Sequence, residues 1–481
     1  MSTLSSTKTK VALAWGDGIG PEIMQAVMTV LEAQHLPIEF QEVVLGEKAY
    51  LEGCSVGIPD SAWSVIRASD ALLKGPLTTP QGKGYKSVNV TLRKSLGLFA
   101  NVRPCVSLYP VLPSKHPNMN LVIVRENEED LYGGIEHRLT PESVQCLKLT
   151  TQPGCERIIR YAFEYARSYG RKKVTCMTKD NIMKLTDGLF HATFDALAKE
   201  YPEIETDHLI IDIGTARVAD TPEWFDVIVL PNLYGDILSD VAAQISGSVG
   251  LGASANIGTQ TSMFEAIHGS APQIAGQDVA NPSGLLLSSV QMLAHLGLGE
   301  QAQQIHNAWL KTLEDGIRTP DIADSDSKKV GTQAFGNEVK ARLGETPKIL
   351  SPLRLGSGKI TVSVERKIRP TKSLLGVDVF IDWDTEDRSP NVLAERLKTL
   401  ESPGPLKLVL ITNRGVKVWP DGFKETFLSD MCRCRFEGTG VTHADVVALL
   451  GRVNQANLDF VKTEHLYAYD GERGYSLGQG Q

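Results

Sequence analysis

The chain lacks the marks of several protein classes. It has no basic excess: 49 Lys and Arg against 57 Asp and Glu give a net charge of −8 and a pI near 5.8. The overall field therefore offers no attraction to nucleic acid or anionic lipid, and any anion it holds is held locally. No apolar run approaches the roughly 18 residues that span a bilayer, so membrane insertion is not expected. The opening residues MSTLSSTKTK lack both the apolar stretch of a secretory signal and the arginines of organelle-targeting peptides. A cytoplasmic protein is expected. Seven cysteines are scattered without a CxxC pair, which favours reduced thiols. Cys432 and Cys434 are spaced CxC, but no nearby histidine or second pair accompanies them, so a zinc site is not expected there. No tandem repeat of fixed period is present. What remains is a globular chain of 481 residues, 42% hydrophobic, long enough for two or three domains with their own cores.

Strand-like runs at Lys10 to Trp15, Asp70 to Lys74, Asn120 to Val124, Lys173 to Cys176, His208 to Ile213 and Phe225 to Leu230 alternate with helical patterns such as Glu156 to Tyr169. That alternation predicts an α/β architecture. The first strand runs into Gly16-Asp17-Gly18-Ile19-Gly20-Pro21 and then a helix from about Glu22. The spacing is not GxGxxG and Pro21 opens the helix, so a structural turn is preferred to a pyrophosphate cradle. From about Gly344 the texture changes, with Pro347, Pro352 and Pro370 and a basic run between Arg354 and Lys372, which reads as a solvated linker. Beyond it, Leu374 to Ile381, Asn391 to Leu400, Leu406 to Thr412 and Val416 to Trp419 predict a small α+β domain.

Two charged groups carry chemistry. Arg93, Arg103 and Arg125 are one; Asp236 and Asp240, within GDILSD, are the other. Guanidinium groups fork onto carboxylates in a planar geometry that lysine does not copy, whereas hard cations such as Mg²⁺ or Mn²⁺ collect aspartate oxygens. Together they suit a small polyacid held beside a divalent metal. Asp236 and Asp240 lie four apart, so a helix would present both on one face.

The segments SVNVTLR (87–93), NVRP (101–104), REN (125–127), DLYGGIE (130–136), TKDNIMK (178–184) and NLYGDILSD (232–240) occur in the order of a known family. From about Val11 to Gly344 the chain resembles the isocitrate and isopropylmalate dehydrogenases, decarboxylating β-hydroxyacid oxidoreductases. The segments GVDVFID, ITNRG and CRCRF are similar to the extra domain of the longer bacterial isocitrate enzymes. The resemblance implies an α/β fold of two domains with a small clasp, plus a C-terminal α+β domain. Its expected divisions are a large domain of 1–98 and 248–343, a small domain of 99–129 and 152–247, a clasp at 130–151, a linker at 344–372 and a tail domain at 373–481.

Ser87 and Asn89 match the serine and asparagine with which isocitrate enzymes hold the substrate's γ-carboxylate; isopropylmalate enzymes place an apolar surface there. Both residue types also favour a helix cap, and the two roles coexist. The resemblance assigns Arg93, Arg103 and Arg125 to the α- and β-carboxylates, Asn181 to the nicotinamide or a substrate carboxylate, and Asp236, Asp240 and Asp212 to Mg²⁺ or Mn²⁺. Asp212 reads as the end of the strand LIIDI. Lys179 resembles the family's proton-transfer lysine and Tyr132 the acid that reprotonates C3. Lys179 and Asp212 are expected to come from a neighbouring subunit, which makes the protein at least a dimer with shared sites.

Coenzyme contacts are expected at Thr79, at His268, Gly269, Ser270, Ala271, Gln273 and Ile274, and at Asn281. NADP enzymes of the family often carry Lys-Tyr where this chain has Gln273-Ile274, and NAD enzymes carry Asp-Ile. The expectation is NAD with weak discrimination against NADP, with Lys328 and Lys329 the nearest candidates in sequence to rescue NADP binding. Two other functions are weighed: dehydrogenation of a related hydroxy diacid such as homoisocitrate or isopropylmalate, and a non-catalytic regulatory subunit. The latter type loses a metal aspartate, the tyrosine or an arginine, and this chain keeps them all.

Overall fold

A computed structural model of the chain describes residues 8–79, 87–353, 359–364 and 368–479. Residues 1–7, and residues 354–358 and 365–367 of the basic stretch read as a linker, lie outside the described residues. The chain divides into two compact units: Met1–Tyr132 with Leu149–Val364, and Gly133–Lys148 with Glu365–Gln481. No described helix is long and apolar enough to cross a membrane.

The strands of the first unit begin with β1 (Thr9–Ala14), β2 (Ile38–Glu42), β3 (Ala71–Lys74), β4 (Ala100–Val106) and β5 (Asn120–Glu126). A short ribbon, β6 (Glu136–Arg138) and β7 (Val144–Cys146), belongs to the second unit. The first unit resumes with β8 (Lys173–Thr178), β9 (Glu205–Ile210), β10 (Val227–Leu230), β11 (Ala253–Ile257) and β12 (Ser262–Ala266). These form one ten-stranded sheet in the order β2-β1-β3-β12-β11-β4-β5-β10-β8-β9. Parallel wings at either side meet through antiparallel pairings of β12, β11, β4 and β5. A small separate pair, β13 (Ile317–Arg318) and β14 (Lys328–Lys329), completes the unit.

Its helices are α1 (Gly20–Ala33), α2 (Glu47–Leu51), α3 (Asp60–Arg67), α4 (Val88–Ser95), α5 (Gln152–Ser168), α6 (Thr186–Ala198), α7 (Ile211–Asp220), α8 (Asn232–Ser246), α9 (Ser283–His295), α10 (Gly299–Glu314) and α11 (Thr332–Ala341). They cover both faces of the sheet, which is why β1, β3 and β10 read as unbroken apolar runs. Successive strand residues enter different cores. Val11 and Leu13 pack with α1 and α9, whereas Ala12 and Ala14 pack with α3 and α4; Val122 and Val124 join the first core, while Leu121 and Ile123 meet Leu238 and Ala242 of α8.

The second unit contains β15 (Lys372–Asp382), α12 (Pro390–Lys398), β16 (Lys407–Asn413), β17 (Val416–Trp419), β18 (Met431–Glu437), α13 (His443–Gln455), β19 (Phe460–Tyr469) and β20 (Glu472–Arg473). The sheet order is β17-β16-β18-β15-β19-β20, antiparallel throughout. Val377, Val379, Ile381, Cys432, Cys434 and Phe436 turn one face toward Leu393, Leu397, Leu449 and Val453 of the two helices. The CxC cysteines are thus free thiols of this core, and burial raises the pKa of both. On the other face Arg435 and Asp378, opposed in register, share two hydrogen bonds of 2.8 Å with almost no exposure. Residues 133–148 are fastened to this unit: Thr140 donates to Asp430 at 2.6 Å, Arg388 forks onto Glu142 at 2.7 and 2.8 Å, and Lys462 donates to Gln145 at 2.7 Å.

Candidate active site

Parallel strands gather their C-terminal ends on one edge of a sheet, where α/β proteins bind ligands. In this chain those ends carry charge. β3 ends at Lys74 and β5 at Arg125 and Glu126; β8 leads into Lys179, β9 into Asp212, β10 into α8, and β12 into His268.

Helix α8 starts after Pro231, which provides no side-chain cap. Asp130 substitutes for one. It sits in the left-handed region (φ 64°), and its carboxylate accepts from the Leu233 amide at 2.8 Å. Asp236 and Asp240 follow one turn apart. Asn232, one turn earlier, accepts Nε and Nη2 of Arg125 at 3.0 and 2.7 Å, and Arg125 Nη1 donates to Asp236. The other Asp236 oxygen accepts from the Tyr132 hydroxyl, and the Arg125 guanidinium lies 4.9 Å from the centre of the Tyr132 ring. Gly235 makes room for this: a Cβ there would stand 2.5 Å from Arg125 Cγ. Arg103 donates to Ser239 and lies 3.5 Å from Asp236 and 3.7 Å from Asp240. Arg93, near the end of α4, pairs with Glu265 at 2.9 Å, and Glu265 holds Lys74 at 2.6 Å.

The electrostatics favour an added anion. Burial lowers the pKa of Arg103; burial, then Arg103 and Arg93, push Arg125 down to about 10. Burial works against ionising Asp236, but Arg125 and Arg103 outweigh it and hold that carboxyl below its usual range. Asp240 has the opposite balance and is raised by its own desolvation. Tyr132 is raised by burial and by its bond to Asp236. Arg93 Nε, Arg103 Nε and Asn89 Oδ1 are buried without a hydrogen-bond partner, an arrangement that normally marks a missing ligand or water. Ser87 caps α4, accepting from the Val90 amide at 3.4 Å and from Thr79 Oγ1 at 3.2 Å.

Lys179 and Asp212 form a second group. Lys179 Nζ donates to Asp212 Oδ1 at 3.0 Å, and that bond, above other causes, lowers the Asp212 pKa. Asp212 does not end a strand as the sequence suggests. β9 stops at Ile210, and Asp212 lies in the first turn of α7, exposed, because Ile210 keeps extended backbone while the next residues already turn. Asn181, two residues after Lys179, is exposed. Among the described residues, neither Lys179 nor Asp212 is a partner of Asp236 or Asp240 in the same chain.

The segment assigned to the coenzyme follows β12. His268 Nε2 is buried without a partner, and desolvation lowers the ring's pKa, keeping it neutral. Gly269 is exposed, Ala271 is left-handed at φ 37°, and Gln273 and Ile274 form a single short 3₁₀ turn. Ser270 is buried against the GDGIG turn: the Ile19 amide donates to its carbonyl at 2.8 Å, and a Cβ on Gly18 would stand 2.0 Å from that oxygen. The Asp17 amide is likewise spent on Pro76 at 2.7 Å. The glycine turn is therefore a structural junction. Asn281 donates to Asp321 at 3.0 Å, while exposed Lys328 pairs with Glu338 at 2.9 Å.

Asp236, Asp240 and Asp212 are carboxylates only, a hard oxygen set suited to Mg²⁺ or Mn²⁺. The fit is supported by Asp240, whose side chain is 67% exposed with its nearest cation 3.7 Å away. Sequence reasoning missed Asn232, Ser239 and Asp130 as supports, and placed Glu265, which pairs with Lys74 and Arg93, in the coenzyme segment. The signal for the first two was present, since they lie four before and three after Asp236 on one helix.

Known proteins resemble this chain over nearly its whole length. Residues 10–339 match the family described as isocitrate/isopropylmalate dehydrogenase, and residues 372–481 match the bacterial isocitrate dehydrogenase C-terminal domain. A protein of Rickettsia bellii named isocitrate dehydrogenase [NADP] is 50% identical, over 98% of this chain and 99% of its own. One of the same name from Thermus thermophilus is 41% identical over 100% and 98%. Among solved structures, the TT0538 protein from Thermus thermophilus superposes with a TM-score of 0.93 at 39% identity, covering 100% of this chain and 98% of that one.

Proposed function

Because the chain belongs to the isocitrate/isopropylmalate dehydrogenase family, we infer that it oxidises isocitrate and releases CO₂ to give 2-oxoglutarate. The observation that carries this is the convergence of Arg93, Arg103 and Arg125 on Asp236 and Tyr132, with Asn89 Oδ1, Arg93 Nε and Arg103 Nε left unpartnered beside them. Three guanidinium groups, each at most 12% exposed, match a tricarboxylate.

Arg103, Arg125 and Arg93 bind the α- and β-carboxylates, and Ser87 and Asn89 hold the third. Lys179, reaching from a second copy of the chain, moves the proton off the substrate hydroxyl. Tyr132 returns a proton to C3 after CO₂ leaves. Asp236 orients both Arg125 and Tyr132, so substrate binding and proton return share one anchor. When bound, a nicotinamide coenzyme accepts the hydride and a divalent cation on Asp236, Asp240 and the partner's Asp212 withdraws electrons from the reacting carbons. The test is coenzyme reduction with isocitrate, homoisocitrate and isopropylmalate under Mn²⁺. Isocitrate is expected to win in kcat/KM by about a hundredfold or more, and Asn89→Ala to raise its KM by about tenfold or more, the worth of a hydrogen bond to a charged group. Equal rates with isopropylmalate would remove the assignment of Ser87 and Asn89.

For the coenzyme, the names of the relatives support use of NADP, and the residues support NAD. Gln273 brings no cation to a 2′-phosphate, and Lys328 is already committed to Glu338. We propose that NAD is preferred and NADP accepted. The ratio of kcat/KM values decides it: a preference for NADP above about tenfold, or 1.4 kcal/mol, overturns the proposal.

A further inference from the structure

Away from the arginines, three side chains of metal-binding type meet in one place. Asp180 follows β8, His208 lies on β9 and His191 on α6, all partly buried, with one ligand atom from each within 4.8 Å of the others. His191 Nδ1 is 2.7 Å from Asp180 Oδ2, and His208 Nε2 is 2.9 Å from Thr178 Oγ1. The two imidazoles are stacked, centres 3.5 Å apart and planes 14° from parallel. Asp195, one turn further along α6, places a carboxylate oxygen 3.6 Å from His191 Nε2. Two stacked imidazolium ions would repel each other, and burial first, then His191, holds His208 below its ordinary pKa. Neutral imidazole is the form that donates a lone pair to a metal.

We propose that Asp180, His191 and His208 bind a transition-metal ion of the zinc class, at a site separate from the carboxylates of the reaction. Donor chemistry sorts the two sites. Imidazole nitrogen suits Zn²⁺, Co²⁺ or Ni²⁺, whereas an all-carboxylate set suits Mg²⁺ and Mn²⁺. Three ligands drawn from the turn after β8, from within β9 and from α6 leave a fourth position for water or Asp195. An ion using both rings opens the 14° angle between them, because parallel rings direct their lone pairs side by side. Asp180 stands between Lys179 and Asn181, in a turn already braced by the Lys179 amide on Asp187 at 2.7 Å and by the Met183 amide on the Lys179 carbonyl at 2.9 Å.

The test is calorimetric titration of full-length, chelator-treated protein with Zn²⁺ while Mg²⁺ is held saturating. One zinc per chain is expected, with affinity unchanged in Asp236→Asn and lowered by about tenfold or more in His191→Ala and in His208→Ala. Co²⁺ in place of zinc is expected to give visible absorption bands that disappear in the conservative His208→Gln variant. No zinc uptake by the parent protein under saturating Mg²⁺ overturns the proposal, and so does zinc binding by both alanine variants at the parent's affinity. Co²⁺ bands that persist in folded His208→Gln overturn it as well.

Discussion

Lys179→Met lowers kcat for isocitrate oxidation by about a thousandfold or more while leaving KM within about threefold. The side chain makes one bond in the free protein, to Asp212, and none with the arginines that grip the substrate's carboxylates. Its loss therefore spares binding and removes the acceptor for the hydroxyl proton. Methionine keeps the length and apolar stem of lysine, and the site is exposed enough that packing is little disturbed: Lys179 and Asp212 side chains are 27% and 69% exposed. A second measurement separates the proton role from a structural one. Supplied directly, the β-keto tricarboxylate needs no hydroxyl deprotonation, so the variant decarboxylates it at close to the parent rate. If that step falls as far as the oxidation does, Lys179 is holding the site together rather than moving a proton.

The parts of this molecule that were legible in sequence are those where one local pattern settles the outcome. Buried parallel strands such as VIVL in β10 read as apolar runs because helices cover both their faces. The six motifs that carry Arg93, Arg103, Arg125, Tyr132, Lys179 and Asp236 are short and fixed in spacing, so their residues were named before any fold was known. What supports them was less legible because it depends on register between distant segments. Glu265 meets Arg93 and Lys74 only when β12 lies beside β3. Asp130 caps α8 from 103 residues away. In the C-terminal domain, β18 and β19 were hard to see because their second face carries Arg433, Arg435, Lys462 and Glu464, and the burial of Arg435 depends on Asp378, 57 residues earlier. α13 had a readable signal that sequence reasoning passed over: Thr442 and Asp445 form a capping box at its start.

Two inactive variants, Lys179→Met and Asp236→Asn, restore activity when their chains are combined. Asp236 lies among Arg125, Arg103 and Tyr132, and its pKa is held down by the two cations against the cost of burial, so the neutral amide leaves the Arg125 and Arg103 guanidinium groups without that carboxylate and Tyr132 misdirected. Asp236→Asn alone is expected to lose about a thousandfold or more in kcat/KM. Within a single chain, Lys179 pairs with Asp212 and not with the Asp236 cluster, which is the arrangement expected of half-sites completed by a second copy. In a mixed dimer, the intact Asp236 cluster of the Lys179→Met chain meets an intact Lys179 from the Asp236→Asn chain. One site of the two is whole and the other carries both lesions. Equal co-expression with random pairing then returns about a quarter of parental activity, and purified mixed dimers about half. A site complete within one chain returns none, since no chain in the mixture carries both residues. The measurement needs only two affinity tags and a coenzyme-reduction assay, and a mixed dimer as inactive as its parents would end the proposal of shared sites while leaving the reaction itself in place.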